Sequence, residues 1–219
     1  DENYDTHRED HKYKNYNDFL SIIKEVSKVT FMPITIGGKI KNIKDIEKRF
    51  ESGADKVCLN SEPLKNPKII NQIAKEFGSQ CLIISIDVKK EDNEYVIYYN
   101  CGKIKSQFKL IDWIKMVQDD GAGEILINSI DCDGNKKGYD LELLKIIDKH
   151  SKIPVIACGG AGKWEDFEKV FNETNIDAVA AANIFHHSDQ SVYMAKKFLY
   201  EKNLNVRKPN IFNIKNEIL

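Results

Sequence analysis

Two periods organise the hydrophobic and polar positions of this chain. From Phe19 to Val29 the apolar Phe19, Leu20, Ile23 and Val26 recur at helical spacing and predict an amphipathic helix. Short β-branched runs follow at 32–37, 56–60, 81–87, 124–130, 153–158 and 178–184. These runs are nearly continuously hydrophobic, the pattern of parallel strands covered on both faces. Helical patterns such as Asn42–Glu51, Pro67–Phe77 and Asp140–His150 lie between most of them. Glu94–Tyr99 predicts an added β-hairpin arm, with Cys101 and Gly102 at its turn. Repeated strand–helix units of this kind build either a closed barrel or an open doubly wound sheet.

An internal duplication favours the barrel. Met32-Pro-Ile-Thr-Ile-Gly-Gly38 is answered by Ile153-Pro-Val-Ile-Ala-Cys-Gly-Gly160, with Pro33 and Pro154 standing 121 positions apart (154 − 33). The same offset pairs Asp45 with Asp166, Glu47 with Glu168, Lys48 with Lys169 and Phe50 with Phe171. One inserted residue later, Asp55-Lys56-Val57 aligns with Asp177-Ala178-Val179. Two similar halves closing on each other give a (β/α)₈ barrel, the fold class expected here. About six strands are legible where eight are required. Shifted back by the same offset, the runs at 81–87 and 124–130 fall before residue 1 and on the polar stretch Asn3–Glu9. The expectation is therefore a single barrel domain over 1–219, incomplete at its N-terminus by roughly 30–50 residues of a typical barrel. Asp1–Lys14 would be the loop after the second strand.

Composition narrows the function classes. Lys and Arg number 33 against 34 Asp and Glu, so no face is marked for nucleic acid. No apolar run reaches the roughly 20 residues that span a bilayer, and no signal peptide is visible. The five cysteines are scattered, several within strand patterns, which reads as reduced thiols in a cytoplasmic protein. Nothing in their spacing calls for a metal, and no cofactor motif is present.

In barrels the chemistry sits at the carboxyl ends of the strands. Gly159-Gly160-Ala161-Gly162 leads into a helix, and Ala181-Ala182-Asn183 ends the last run. Small residues that free backbone N–H groups at a helix start form an anion cradle, here one for phosphate. The competing reading is a tight turn without a ligand. The duplication predicts a second cradle at Gly38, Lys39, Asn60 and Ser61, suited to a substrate phosphorylated at both ends. Lys39 replaces the glycine found at 160; its ammonium would aid a phosphate or its bulk obstruct one. Asp87 closes its run as a general acid/base or, on position alone as readily, as a helix N-cap. Asn128, Asp131 and Asp133 belong to the next strand end and its turn, facing substrate or forming a plain Asx-turn. His186 and His187 read as the cap of the final barrel segment.

Taken in order, Ile36-Gly-Gly, Gly53-Ala-Asp-Lys-Val, Phe77-Gly-Ser-Gln, Ser85-Ile-Asp, Gly121-Ala-Gly-Glu-Ile-Leu, Ser129-Ile-Asp-x-Asp-Gly, Gly138-Tyr-Asp and Gly159-Gly-Ala-Gly resemble the cyclase subunit of imidazole glycerol phosphate synthase, the HisF family. The resemblance runs from about residue 16 to 208. It implies a two-fold repeated barrel that takes ammonia from a glutaminase partner in a heterodimer. The ammonia attacks a bis-phosphorylated formimino-carboxamide ribonucleotide, giving imidazole glycerol phosphate and aminoimidazole carboxamide ribonucleotide. By the same resemblance Asp87 is the general acid/base, and its partner aspartate lies on a first strand outside this sequence. Gly160, Ala182 and Asn183 match one phosphate site; Lys39, Asn60 and Ser61 match the other. Lys56 and Glu124 match the charged ring that gates ammonia at the barrel bottom, and Asp55 matches a residue facing the glutaminase. The chain departs from the family at Lys39, Cys101, Asn128, Cys132 and Asn183. Two alternatives stand beside this reading: a paralogous ammonia-channelling subunit that forms acetamidino sugars for surface glycans, and a non-catalytic scaffold that activates a glutaminase.

Overall fold

The structure, a computed structural model, describes residues 16–186 and 191–209, with side chains from residue 19 onward. Asp1–Lys14 and His187 lie outside the described residues. The chain opens with helix α1 (Tyr16–Val29), followed by strand β1 (Thr35–Gly37), α2 (Ile43–Glu51), β2 (Lys56–Leu59), α3 (Ser61–Lys65) and α4 (Lys68–Phe77). The long β3 (Leu82–Glu91) continues into the arm β4 (Glu94–Tyr99) and β5 (Ile104–Lys109). Then come α5 (Leu110–Asp119), β6 (Glu124–Ser129), α6 (Leu141–His150), β7 (Val155–Cys158), α7 (Trp164–Glu173), β8 (Ala178–Ala180) and α8 (Val192–Glu201).

Six of these strands form one parallel ladder in the order β1-β2-β3-β6-β7-β8, an α/β sheet curled as part of a (β/α)₈ barrel. The hairpin grows from the end of β3. Residues Ile83 to Val88 pair with β6, while Asp87 to Glu91 pair antiparallel with β4. All six carboxyl ends therefore lie on one edge of the sheet, with the arm rising beside them.

Alternation along the strands separates two faces. Val57, Ile84, Ile86, Ile125 and Ile127 point to the helices and are no more than 1% exposed. They meet Ile69, Ile70 and Ile73 of α4, Trp113, Ile114 and Val117 of α5 and Ile147 of α6, all in one core. The opposite face carries Lys56, Cys58, Ser85, Asp87, Glu124, Leu126, Asn128, Ile156 and Cys158, which are only partly buried. The hydrophobic runs are thus continuous on the helix side only, while Lys56, Ser85, Asp87, Glu124 and Asn128 interrupt them on the barrel-interior face.

The duplication reaches single hydrogen bonds. Asp45 Oδ2 accepts the N–H of Lys41 at 2.9 Å, and Asp166 Oδ2 accepts that of Gly162 at 2.8 Å. Asp55 Oδ2 accepts the N–H of Ile34 at 2.7 Å, and Asp177 Oδ2 accepts that of Val155 at 2.9 Å. Each half thus uses one aspartate to hold the Gly-Gly turn against its helix. A second aspartate ties the start of one strand to the start of the next. The run at 178–184 is shorter than its hydrophobicity predicts. Beyond Ala180 the chain turns into a 3₁₀ segment, Asn183–Phe185, closed by the N–H of His186 on the carbonyl of Asn183 at 3.0 Å. Ile184 and Phe185 pack inward there, with Phe185 5.8 Å from the Trp164 ring.

Ile84 sits at the centre of the ladder, fully buried against the helices. Ile84→Ala removes three buried carbons and should cost about 2–5 kcal/mol, read from the urea midpoint at unchanged slope. A loss below about 1 kcal/mol would mean that this layer is not the packed core.

Candidate active site

At the carboxyl edge the strand ends enclose a cavity of about 300 Å³. Asp87 and Ser85 reach it from β3, Leu126 and Asn128 from β6, and Cys158 from β7. Gly159, Gly160 and Ala161 form one rim, Ala180 to Asn183 another, and Asp133, Gly134 and Lys136 a third. Of the residues expected at the site, Asp87, Asn128, Gly159, Gly160, Ala182 and Asn183 thus share one cavity.

Asp87 is mid-strand, paired with Asn128 on one side and Tyr98 on the other, so it caps no helix. Asn128 Nδ2 donates to its Oδ1 at 3.3 Å. A carboxylate can only accept, which turns the amide nitrogen toward it and leaves Asn128 Oδ1 buried without a hydrogen-bond partner among the described residues. Burial raises the Asp87 pKa, the Asn128 hydrogen bond lowers it, and the nearby Asp133 charge raises it again. Burial dominates, which moves this carboxyl toward the range where it can both hold and release a proton.

The glycine rim is built by steric necessity. Gly159 and Gly160 have φ of +88° and +111°, in the left-handed region. A Cβ on Gly160 would lie 2.1 Å from the Gly138 carbonyl oxygen, so the loop after β6 crosses directly over it. That crossing is laced by the N–H of Gly138 on the Gly160 carbonyl at 2.9 Å and by the Tyr139 hydroxyl on the Ala180 carbonyl at 2.9 Å. The turn opens into α7, where the Asp166 carboxylate accepts the N–H groups of Gly162 and Lys163 at 2.8 and 3.0 Å.

The second expected cradle lies on the same edge but outside the cavity wall. Gly38 has φ +88°, equal to that of its counterpart Gly159, while Lys39 is held at +52°. Asn60 Nδ2 donates to the Ser85 carbonyl at 3.1 Å, and the Ser61 hydroxyl donates to Asn60 Oδ1 at 3.1 Å. Ser61 Oγ also accepts the N–H of Asn100 at 3.0 Å, so it pins the hairpin turn over the mouth.

Asp131 stands apart from the cavity; its carboxylate accepts the backbone N–H of Lys90 at 2.7 Å, bracing the turn. Asp133, two residues on, lines the cavity instead. The wall also holds Cys158, the last residue of its run, and two residues not expected there, Ser85 and Lys136. Period-two alternation from Asp87 would have found Ser85, while Lys136 lies in a turn whose course no local pattern gives.

At the other end of the strands, Lys56 and Glu124 form an ion pair across β2 and β6. Asp55 beside them is exposed, with one carboxylate oxygen on Ile34. Between the two ends Cys58 is pushed up to about 12, first by burial and then by the Asp87 charge, so its thiol stays protonated. Among the described residues, no group of three or more His, Cys, Asp or Glu is placed to hold a metal ion.

The family model for "Histidine biosynthesis protein" matches residues 11–191. The chain is 47% identical over 190 residues to the imidazole glycerol phosphate synthase subunit HisF of Dictyoglomus thermophilum, covering 86% of this chain and 75% of that protein. It is 44% identical to the HisF subunit of a Hydrogenobaculum species, covering 89% and 78%, and 41% identical to that of Bacillus cereus, covering 86% and 75%.

The raised pKa of Asp87 links the site to stability. Its folded pKa lies above the ordinary 3.8, so the native state holds the proton more tightly between those two values. Its contribution is most favourable below 3.8 and is lost as pH climbs through the folded value. Asp87→Asn should therefore be more stable than the wild-type chain at neutral pH, the difference closing in acid. Urea midpoints across pH read this directly; a variant less stable at neutral pH would make Asp87 a structural residue.

Proposed function

The chain belongs to the histidine biosynthesis protein family, in the HisF branch of imidazole glycerol phosphate synthase cyclase subunits, and on that premise we propose how its own residues carry the reaction. The substrate is the bis-phosphorylated formimino-carboxamide ribonucleotide, and ammonia closes its imidazole ring. Addition of ammonia to a carbonyl ends in loss of water, and ring closure then expels an amine. Both steps need a proton taken from nitrogen and one delivered to the departing group. Asp87 does this work. The observation that carries the reading is its partly buried carboxyl on the same cavity wall as the Gly159–Gly160 rim. A phosphate seated on that rim, with Ala182 and Asn183 opposite, brings the reacting carbons over Asp87. The cradle at Gly38, Lys39, Asn60 and Ser61 takes the second phosphate. Fixing both ends turns ring closure into a positioned, unimolecular event.

Ammonia reaches the site from the amino ends of the strands, where a glutaminase partner docks in a heterodimer. Lys56 and Glu124 gate that entrance and Asp55 faces the partner. Neutral ammonia needs a path without a strong proton donor or acceptor, and the protonated Cys58 thiol midway is compatible with one. Five free cysteines support a cytoplasmic setting, and among the described residues no helix is long and apolar enough to cross a membrane. The glycan paralogue and the non-catalytic scaffold find no support among the relatives compared, which are named as imidazole glycerol phosphate synthase subunits.

Ammonium-dependent consumption of the bis-phosphate by the full-length protein, followed by absorbance, tests the assignment. Asp87→Asn should abolish cyclisation while leaving phosphate-ligand affinity mostly intact. Equal loss of both, or undiminished turnover, contradicts a catalytic Asp87.

A further inference from the structure

Among the described residues Arg49 is the one arginine buried in the core, at 1% exposure, on the inner face of α2. In the other half the same position is Val170, at 0% exposure, so the fold itself asks only for an apolar side chain there. The guanidinium makes specific contacts instead. Nη2 donates to the Gly38 carbonyl at 2.6 Å, and Nη1 to the Asp45 carbonyl at 2.6 Å. Lys39, the residue after Gly38, carries a left-handed φ of +52°, which a side chain other than glycine rarely adopts. A cation that grips the carbonyl just before it offsets that cost.

We propose that Arg49 is the positioning residue of the second anion cradle, fixing the Gly38–Lys39 peptide so that its N–H faces the mouth. C=O and N–H point opposite ways across a planar trans peptide. Arg49 lies beneath the turn and draws the Gly38 oxygen inward; the Lys39 N–H is thereby turned outward, at the exposed carboxyl end of β1. The Gly159–Gly160 turn needs no such anchor, because the loop after β6 clamps it from above through Gly138. This explains together two departures from the duplicate: a lysine is accommodated at 39, where 160 demands glycine, and an arginine replaces the valine beneath it. The inference rests on reading Gly38, Lys39, Asn60 and Ser61 as a phosphate cradle, and it adds the residue that orients them.

The test is a titration of the isotope-labelled full chain with inorganic phosphate, followed by the amide resonances of Lys39 and Gly160. In Arg49→Leu the affinity read at Lys39 should fall about tenfold, as for the loss of one charge-assisted hydrogen bond, while that at Gly160 stays unchanged. Arg49→Lys, which keeps a donor for the Gly38 carbonyl, should recover most of it. The Gly160 response reports that the variant is folded; Arg49→Met repeats the test should the leucine variant lose that response. Equal affinity at Lys39 in wild type and leucine variant, with Gly160 intact, overturns the role of Arg49. No response of Lys39 in the wild-type chain, with Gly160 responding, instead removes the phosphate reading of this cradle and the inference with it.

Discussion

A parallel strand has one constraint that an antiparallel one escapes: the chain must leave every carboxyl end through a turn on the same edge of the sheet. In this protein the ladder from β1 to β8 brings six such turns together. The last interior side chains of β3, β6 and β7 point into the same space. Asp87, Asn128 and Cys158 meet there because the registers of β3, β6 and β7 align them side by side. The core on the other face keeps that alignment fixed.

The two halves solve the same problem with different means. The Asp45 and Asp166 hydrogen bonds, and those of Asp55 and Asp177, are repeated almost atom for atom. Above them the halves diverge. One glycine turn is clamped from outside by the loop at Gly138; the other is held from inside by Arg49. The tighter clamp shares its cavity with Asp87, so the rim proposed to seat a phosphate is also the more constrained one. Asp55 has a structural duty in this scheme as well as the partner-facing one proposed for it.

Much of this was legible before any coordinates. The helices declared themselves through apolar spacing; Asn42 and Asp140, where two of those patterns begin, prove to be caps whose side chains accept the N–H groups of Asp45 and Leu143. The duplication located both glycine turns. What stayed hidden has a common cause: long-range packing. The run at 178–184 breaks at Ala180 because Ile184 and Phe185 are drawn onto α7, which no local pattern records. Asp131 and Asp133 are indistinguishable in Ile130-Asp-Cys-Asp-Gly134 until the turn sends one to Lys90 and the other to the cavity. Arg49 was within reach, since the offset that aligned the Gly-Gly turns also aligns it with Val170.

We propose Asp87 as a proton carrier whose behaviour is set by its burial beside Asn128. The most direct measurement is the pH dependence of kcat/KM for cyclisation at fixed free ammonia, set beside the titration of the Asp87 carboxyl followed by NMR. A proton-carrying Asp87 gives an acid limb that coincides with that titration, with both lying above the ordinary 3.8 of an aspartate. An Asp87 that titrates at its ordinary value, or a rate limb that ignores its titration, would contradict it.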